Sequence, residues 1–337
     1  MARITEVAEL AGVSVKTVSR VMNNYQHISA KTRQKVERAM EELSYAPSSV
    51  ARQMRLNNSL SIGMIYGDPS SGYQARLNHA VLKACSDARR YLVVELFDEK
   101  SREWRKQVED FLDRTKVSNM ILVPPMCDST DLHELLARRQ VKFVLISPSR
   151  PISGASSIAM DDRRAAYEMV NHFIGLGHKR IGYIGGHPDH VATLLRRQGF
   201  EEALRRAKID IQNKYLTSGR FRFRNALECA DALLSLEVRP TAIFAANDEM
   251  AVAAVMTANR LGLRVPEDLS VAGFDDTPIA KTIWPELTTV AQPIEEIAKA
   301  AVDSIGNLNR TGQSVSETLI FEHKVLIRAS TGPVPES

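Results

Sequence analysis

The chain is 337 residues long, which at about 150 residues per domain is enough for two or three domains with sizeable cores. With 44% hydrophobic and 25% charged residues and only 17 Gly and 14 Pro, its composition excludes collagen-like, repetitive and disordered classes. Net charge is +4 and residues 1–60 carry all of it, nine Lys and Arg standing there against five acids, so a basic N-terminal end on a neutral body points to a polyanionic partner for that end alone. No apolar run approaches the roughly 20 residues of a bilayer span, and Arg3, Glu6 and Glu9 interrupt any export-like stretch, so no membrane partner and a cytoplasmic location are expected. Cys85, Cys127 and Cys229 are scattered with no C-x-x-C spacing, which predicts neither a disulfide framework nor a zinc site. No cofactor is expected.

Residues Ile4 to Leu43 carry helical patterning throughout, broken at Gly12 and across Asn23 to Ile28, which predicts helices over roughly 5–11, 15–23 and 29–44. Ser29 is the expected cap of the third, whose apolar stripe is Val36, Ala39, Met40 and Leu43. Pro47 ends the pattern. Residues 45–60 read as a linker that includes a conditional helix, with boundaries 1–46, 47–59, 60–330 and a flexible tail 331–337. After Leu60 the patterning changes to alternating strands and helices. Buried-strand runs occur at Leu60–Tyr66, Tyr91–Leu96, Val117–Val123, Val141–Ser147, Arg180–Gly185, Thr241–Ala246 and Leu269–Phe274, with amphipathic stretches near 73–89, 101–115, 129–139, 162–176, 190–207, 224–236 and 248–261 between them. Repeated β–α units predict doubly wound parallel sheets with helices on both faces. About 270 residues exceed one such sheet, so two lobes are expected, dividing near Ala155–Asp161. The fold class is α/β, an all-α helix-turn-helix module ahead of a two-lobed doubly wound parallel body like that of periplasmic binding proteins.

The segment Val7 to Val21 has the layout of a helix-turn-helix: Ala8 allows a close crossing, Gly12 supplies the turn, and Ser14 can cap the second helix. With Val18, Val21 and Met22 turned inward, Val15, Lys16, Ser19, Arg20 and Asn23 form the outer face. Such a helix fits the major groove, its N-terminal residues at base edges and hydroxyls such as those of Ser14 and Thr17 near phosphates. A plain helical hairpin with no nucleic-acid role is the competing account, against which stand the basic end and the polar outer face.

The run Ala11-Gly12-Val13-Ser14-Val15-Lys16-Thr17-Val18-Ser19-Arg20-Val21-Met22-Asn23, with His27 to Arg33 and Leu43 to Pro47, resembles the start of LacI/GalR-family bacterial transcription regulators. Further blocks continue the resemblance in the family's order: Gly177 to Gly182, Arg196 with Gly199-Phe200, Pro240 to Phe244, Ala246-Asn247-Asp248, Leu263 to Val271 and Gly273 to Asp276. The resemblance implies that Val15, Lys16 and Arg20 read bases, and that Ser14, Thr17, Ser19 and Asn23 lie near the DNA backbone. It further implies that Pro47 to Leu56 becomes a hinge helix on DNA, with Val50 and Ala51 in place. The family's minor-groove wedge leucine falls here on Met54, a residue also able to unstack a base step. A linker side chain packed on the core is the other account of Met54.

A doubly wound sheet binds ligands beyond the C-terminal ends of its strands. That rule alone selects Asp68 and Tyr73, His187 and Asp189, Asn247 and Asp248, and Asp275 and Asp276, a set of carboxylates, amides and rings suited to a polyol. The resemblance then implies effector contacts by Arg196, Asn247 and Asp275, ring stacking by Phe221, a lid over the cleft at Tyr73, and a place near the pocket for Trp284. Where family members often carry an acid after the fourth strand, this chain reads Ile146-Ser147-Pro148. Each polar residue also has a plainer account: Asp275 and Asp276 as turn formers, Asn247 and Asp248 as helix caps, Arg196 paired with Glu201 or a neighbour on its helix face, and Trp284 in a core.

The expected function is a sequence-specific repressor of carbohydrate-utilisation genes, a homodimer on an approximately palindromic double-stranded operator, released by a small sugar. A corepressor-dependent regulator binding a purine or phosphosugar is the alternative, followed by a sugar-binding protein without DNA function. No enzyme is expected. G-x-S-x-G, H-E-x-x-H, the P-loop and a correctly placed G-x-G-x-x-G are missing, and Asp161 and Asp162 read more simply as a helix start than as an acid–base pair. The tail after Arg328 has no leucine heptads, which favours a dimer over a tetramer.

Overall fold

The structure, a computed structural model, describes residues 4–22, 25, 28–43, 45, 60–67, 71–98, 101–311 and 316–335. Asn23, Val50, Ala51, Met54 and Asp68, and with them the hinge-helix reading of 47–59, lie outside the described residues. The chain divides into two units, Met1–Ser59 and Leu60–Ser337.

In the first unit α1 (Ile4–Ala11), α2 (Val15–Met22) and α3 (Ala30–Glu42) each contribute one fully buried valine, Val7, Val18 and Val36, to a shared core. Ala8, Ala11, Val21 and Ala39 fill in around them. Small side chains at the crossing bring the backbones close, and Gly12 completes the α1–α2 turn with φ +64°, a conformation only glycine adopts at no cost. Ser29 accepts from Thr32 N at 3.2 Å and so caps α3.

The second unit has two lobes. The first is a six-stranded parallel sheet of β1 (Ser61–Tyr66), β2 (Tyr91–Leu96), β3 (Asn119–Leu122), β4 (Lys142–Ile146), β5 (Ser156–Met160) and β11 (Thr318–Phe321), ordered β11-β5-β4-β3-β1-β2. Its helices are α4 (Gly72–Asp87), α5 (Trp104–Thr115), α6 (Thr130–Arg138) and α12 (Ile294–Thr311). The second lobe is a parallel sheet of β6 (Ile181–Gly185), β7 (Leu216–Ser218), β8 (Ala242–Ala245) and β9 (Ser270–Ala272), ordered β7-β6-β8-β9, with α7 (Asp162–Gly175), α8 (Val191–Arg206), α9 (Phe223–Leu234), α10 (Asp248–Arg260) and the short α11 (Ile279–Thr282). An antiparallel pair, β10 (Thr289–Ala291) and β12 (Lys324–Leu326), joins the return segments. Among the described residues no helix is long and apolar enough to cross a membrane, and all three cysteines are free.

The division between lobes follows β5, so Ser156–Met160, read from sequence as the boundary itself, is an inner strand of the first sheet. The chain then returns to the first lobe for α12 and β11, which the sequence reading left out. The stripe Ile294, Ile297, Ala298, Ala301, Val302, Ile305 and Leu308 of α12 packs with β1 and α4 in the first lobe's core. The segment 331–335, expected to be a flexible tail, is instead held on the second lobe: Gly332 N donates to Ser270 Oγ at 3.0 Å and Val334 N to Leu176 O at 2.9 Å. Its backbone donors find partners there that a free tail would leave to water.

Candidate functional site

On the helical unit, α2 is amphipathic to the point of segregation. Val18 and Val21 are buried, while Val15, Lys16 and Arg20 are exposed and Thr17 and Ser19 half-buried. Ser14 ends its N-terminus: its Oγ accepts from Thr17 N at 3.1 Å and lies 2.9 Å from Thr17 Oγ1. The C-terminal end is fixed by Arg33 on α3, which donates to Val21 O and Tyr25 O, each at 3.4 Å. Arg20 is held over the Tyr25 ring at 5.3 Å. One face of a rigid helix thus presents a hydroxyl pair at its start and two cations along its length, the arrangement a base-reading helix needs.

In the two-lobed unit the predicted cleft residues converge on Arg196. This arginine, on α8 and 5% exposed, donates from Nε to Asp162 Oδ1 at 2.8 Å and from Nη1 to Ala246 O at 2.5 Å, and stands 3.7 Å from Asp275 Oδ1. Its guanidinium lies 3.6 Å from the Phe274 ring centroid and 5.9 Å from that of Phe221. Burial strips water from the cation, yet Asp162 and Asp275 hold it above its usual pKa. The expected pairing with Glu201 belongs to Arg197 instead.

Asp275 is also 5% exposed and takes φ +112°. Gln292 Nε2 donates to its Oδ1 at 2.6 Å. Beneath it Asp248, fully buried, accepts from Thr277 N at 2.7 Å, Thr277 Oγ1 at 2.9 Å and Thr289 Oγ1 at 2.5 Å. Burial pushes Asp275 up to about 7 and Asp248 up to about 6. Asn247 is the N-cap of α10, accepting from Met250 N at 2.9 Å.

Phe221 owes its position to two features the sequence reading did not weigh. Arg220 and Phe221 both have positive φ, +56° and +58°, and the ring lies so close to Gly186 that a Cβ there would fall 2.1 Å from Phe221 Cζ. The first lobe closes over this floor through the start of α4. Gly72 N donates to Glu249 Oε1 at 2.9 Å, and Arg76 Nη1 donates to Asp275 O at 2.7 Å and Asp276 O at 2.9 Å. Tyr73 lies in this turn, its phenol raised by burial and by Asp275 and Asp162. Trp284, which the resemblance placed near the pocket, does not join the cluster. It is 83% exposed, in the segment that follows α11. Asp162, Gln292 and Arg76 are cleft residues the sequence reading missed, since each sits inside a helix or loop whose approach to the cleft depends on tertiary packing.

A helix-turn-helix with a basic outer face, joined in one chain to a two-lobed α/β body with a polar floor, defines a DNA-binding transcriptional regulator. Residues 3–48 match the family model described as bacterial regulatory proteins, lacI family, and residues 170–331 match a periplasmic binding protein-like domain. The chain is 33% identical to the HTH-type transcriptional repressor PurR of Photobacterium profundum over 96% of both sequences. It is 32% identical to the ribose operon repressor of Escherichia coli K12 over 90% of this chain and 92% of that one. A crystal structure of the lac repressor dimer bound to operator and the anti-inducer ONPF superposes with TM-score 0.83 at 31% identity, covering 98% of this chain and 99% of that one. The chain belongs to the lacI family of bacterial regulatory proteins, which are transcription regulators and not enzymes.

Proposed function

We propose that this regulator is a homodimeric repressor of carbohydrate-utilisation genes, released from a near-palindromic operator when a small sugar enters the interlobe cleft. The carrying observation is the floor itself. Asp162 and Asp275 flank the buried cation Arg196, so its charge is already paired within the floor. Such a floor repels an anion and suits hydroxyls, which donate to carboxylates while a ring face such as Phe221 covers C–H surface. Relatives named for ribose and lac operons agree with that chemistry. Lys16 and Arg20 on α2, with Val15, are assigned to base edges, and Ser14, Thr17, Ser19 and Asn23 to the backbone. Val50, Ala51 and Met54 are assigned to the hinge.

Coupling requires the effector to favour one lobe arrangement, and the Arg76 and Gly72 bridges to Asp275 and Glu249 are what an altered closure would shift. Dimerisation is supported by the apolar edge of the first lobe, where Tyr91, Val94 and Leu96 of edge strand β2 and Leu82 of α4 are exposed. Fluorescence anisotropy on an operator selected from random duplexes, with and without neutral sugars, tests the reading. Weaker DNA binding with a sugar supports induction, tighter binding with a purine gives the corepressor reading suggested by the PurR relative, and equal affinity with every ligand rejects ligand control.

A further inference from the structure

Close to the cleft floor, inside the second lobe's core, a polar group is buried without a hydrogen bond. β6 carries Tyr183, whose ring packs 5.0 Å from that of Phe200 on α8 and 5.8 Å from that of Phe244 on β8, centroid to centroid, at 1% exposure. The ring leans toward the end of the strand that opens on the cleft: a Cβ at Gly185, two residues on, would stand 3.1 Å from Tyr183 Cε1. Among the described residues the phenol oxygen has no hydrogen-bond partner. The charges that act on it are those of Arg196, Arg197 and Glu201 on α8 and of Asp162 at the start of α7. Arg197 and Glu201 are bonded to each other at 2.5 Å. A phenylalanine of the same shape would fill the space without an unsatisfied oxygen.

Arg196 has the complementary defect. Its Nε bonds to Asp162 and its Nη1 to Ala246 O, while Nη2 makes no hydrogen bond to a described residue. An unmade donor and an unmade acceptor therefore belong to two groups that feel each other's charge, the guanidinium beside Asp275 and the phenol of β6. A hydroxylated ligand that donates to Asp275 and accepts from Arg196 competes with the guanidinium's present bonds, and a shift of that group toward β6 would satisfy the phenol.

We propose that Tyr183 is a positioning residue of the effector site, its hydroxyl the acceptor that holds Arg196 once a ligand hydroxyl has engaged the floor. This rests on the sugar-effector reading above and adds to that site a residue that touches no ligand. The test compares the full wild-type chain with Tyr183→Phe, which keeps the ring and removes the oxygen. Without ligand, urea unfolding should show the variant at least as stable as the wild type, because no bond is lost. Isothermal titration with ribose, glucose, galactose and cellobiose should then show the sugar that binds the wild type bound about tenfold or more weakly by the variant, the loss of a hydrogen bond to a charged group. Ultraviolet resonance Raman supplies a readout that packing alone would not move: the tyrosine doublet, which reports whether a phenol oxygen accepts a hydrogen bond, should change when that sugar is added to the wild type and stay fixed in the variant. Equal sugar affinities, a tyrosine doublet unmoved by the sugar, or a variant less stable than the wild type without ligand each overturn the role of Tyr183 and leave the sugar reading standing. Failure of all four sugars to bind the wild-type chain overturns the sugar reading itself, and the role of Tyr183 with it.

Discussion

Replacing Gly186 by alanine tests how Phe221 is held without knowledge of the effector. The added Cβ would stand 2.1 Å from Phe221 Cζ and 2.4 Å from Cε1 and Cε2, more than 1 Å inside the ~3.5 Å of a normal carbon contact. The obstacle is the far end of one side chain, so the ring leaves while β6 stays. Overpacking of this kind costs about 1–3 kcal/mol, and loss of the glycine's freedom in the unfolded chain returns about 0.4–1 kcal/mol. A net destabilisation of roughly 1–2 kcal/mol is expected. In a Phe221→Ala background the obstacle is gone, and Gly186→Ala becomes neutral or slightly stabilising. Any cost of alanine at the positive φ of residue 221 is common to both halves of the cycle and cancels. Urea unfolding of the four proteins, followed by circular dichroism, gives the coupling energy, expected at about 1–3 kcal/mol. Equal effects of Gly186→Ala in the two backgrounds would refute the account of Phe221.

Arg196→Met leaves Asp162 and Asp275 buried without their cation and is expected to destabilise the chain by about 3–5 kcal/mol at pH 8, read from urea midpoints; a loss within ~0.5 kcal/mol would show the pair to be dispensable. Asp275 near 7 and Asp248 near 6, against 3.8 for an ordinary aspartate, bind more protons folded than unfolded between about pH 4 and 7. Their contribution is therefore fully present below pH 4 and is lost as pH rises through 6 and 7. Asp275→Asn should flatten that fall, and the same pH slope of the melting temperature in both proteins would count against it. Arg76→Ala removes the two bonds to Asp275 and Asp276 carbonyls and should enlarge the radius of gyration seen by X-ray scattering, whereas an unchanged curve means that Arg76 does not hold the lobes together. On operator DNA, Arg20→Ala should cost about 1–3 kcal/mol and relax one base position if it reads a base; a loss uniform across sequences with a salt slope reduced by about one would make it a phosphate contact instead.

The repeated strand and helix units were legible because a buried parallel strand is a short continuous apolar run and its covering helix repeats every 3.6 residues. The run Arg180–Gly185 matches β6, Ile181–Gly185, for that reason, and all five residues of that strand are buried. β5 was not read as a strand because two of its five residues are Ser156 and Ser157, buried polar side chains that break the apolar run. The α12 stripe was there to be read, since Ile294, Ile297, Ala301, Ile305 and Leu308 repeat at helical spacing after Pro293. Arg196, Asn247 and Asp275 could be named from local motifs, but their partners could not. That Asp162 is a second carboxylate for Arg196 depends on the packing of α7 against α8. There Gly199 brings the helices so close that a Cβ would lie 2.1 Å from Arg163 O. The Gly186 clearance leaves no trace in residue spacing.

The three passages of the chain between lobes, after β5, between β10 and α12, and between β11 and β12, also govern how the molecule can be built and recombined. The first lobe's sheet lacks its outer strand β11, and α4 lacks its cover α12, until synthesis has passed Phe321. A ribosome-bound chain halted at residue 160 therefore holds an unfinished hydrophobic face and needs either the rest of the polypeptide or a chaperone. The same weave makes Leu60 the economical junction for a chimera. Exchanging everything before it transfers one contiguous DNA-reading module, whereas exchanging a single lobe requires three cuts.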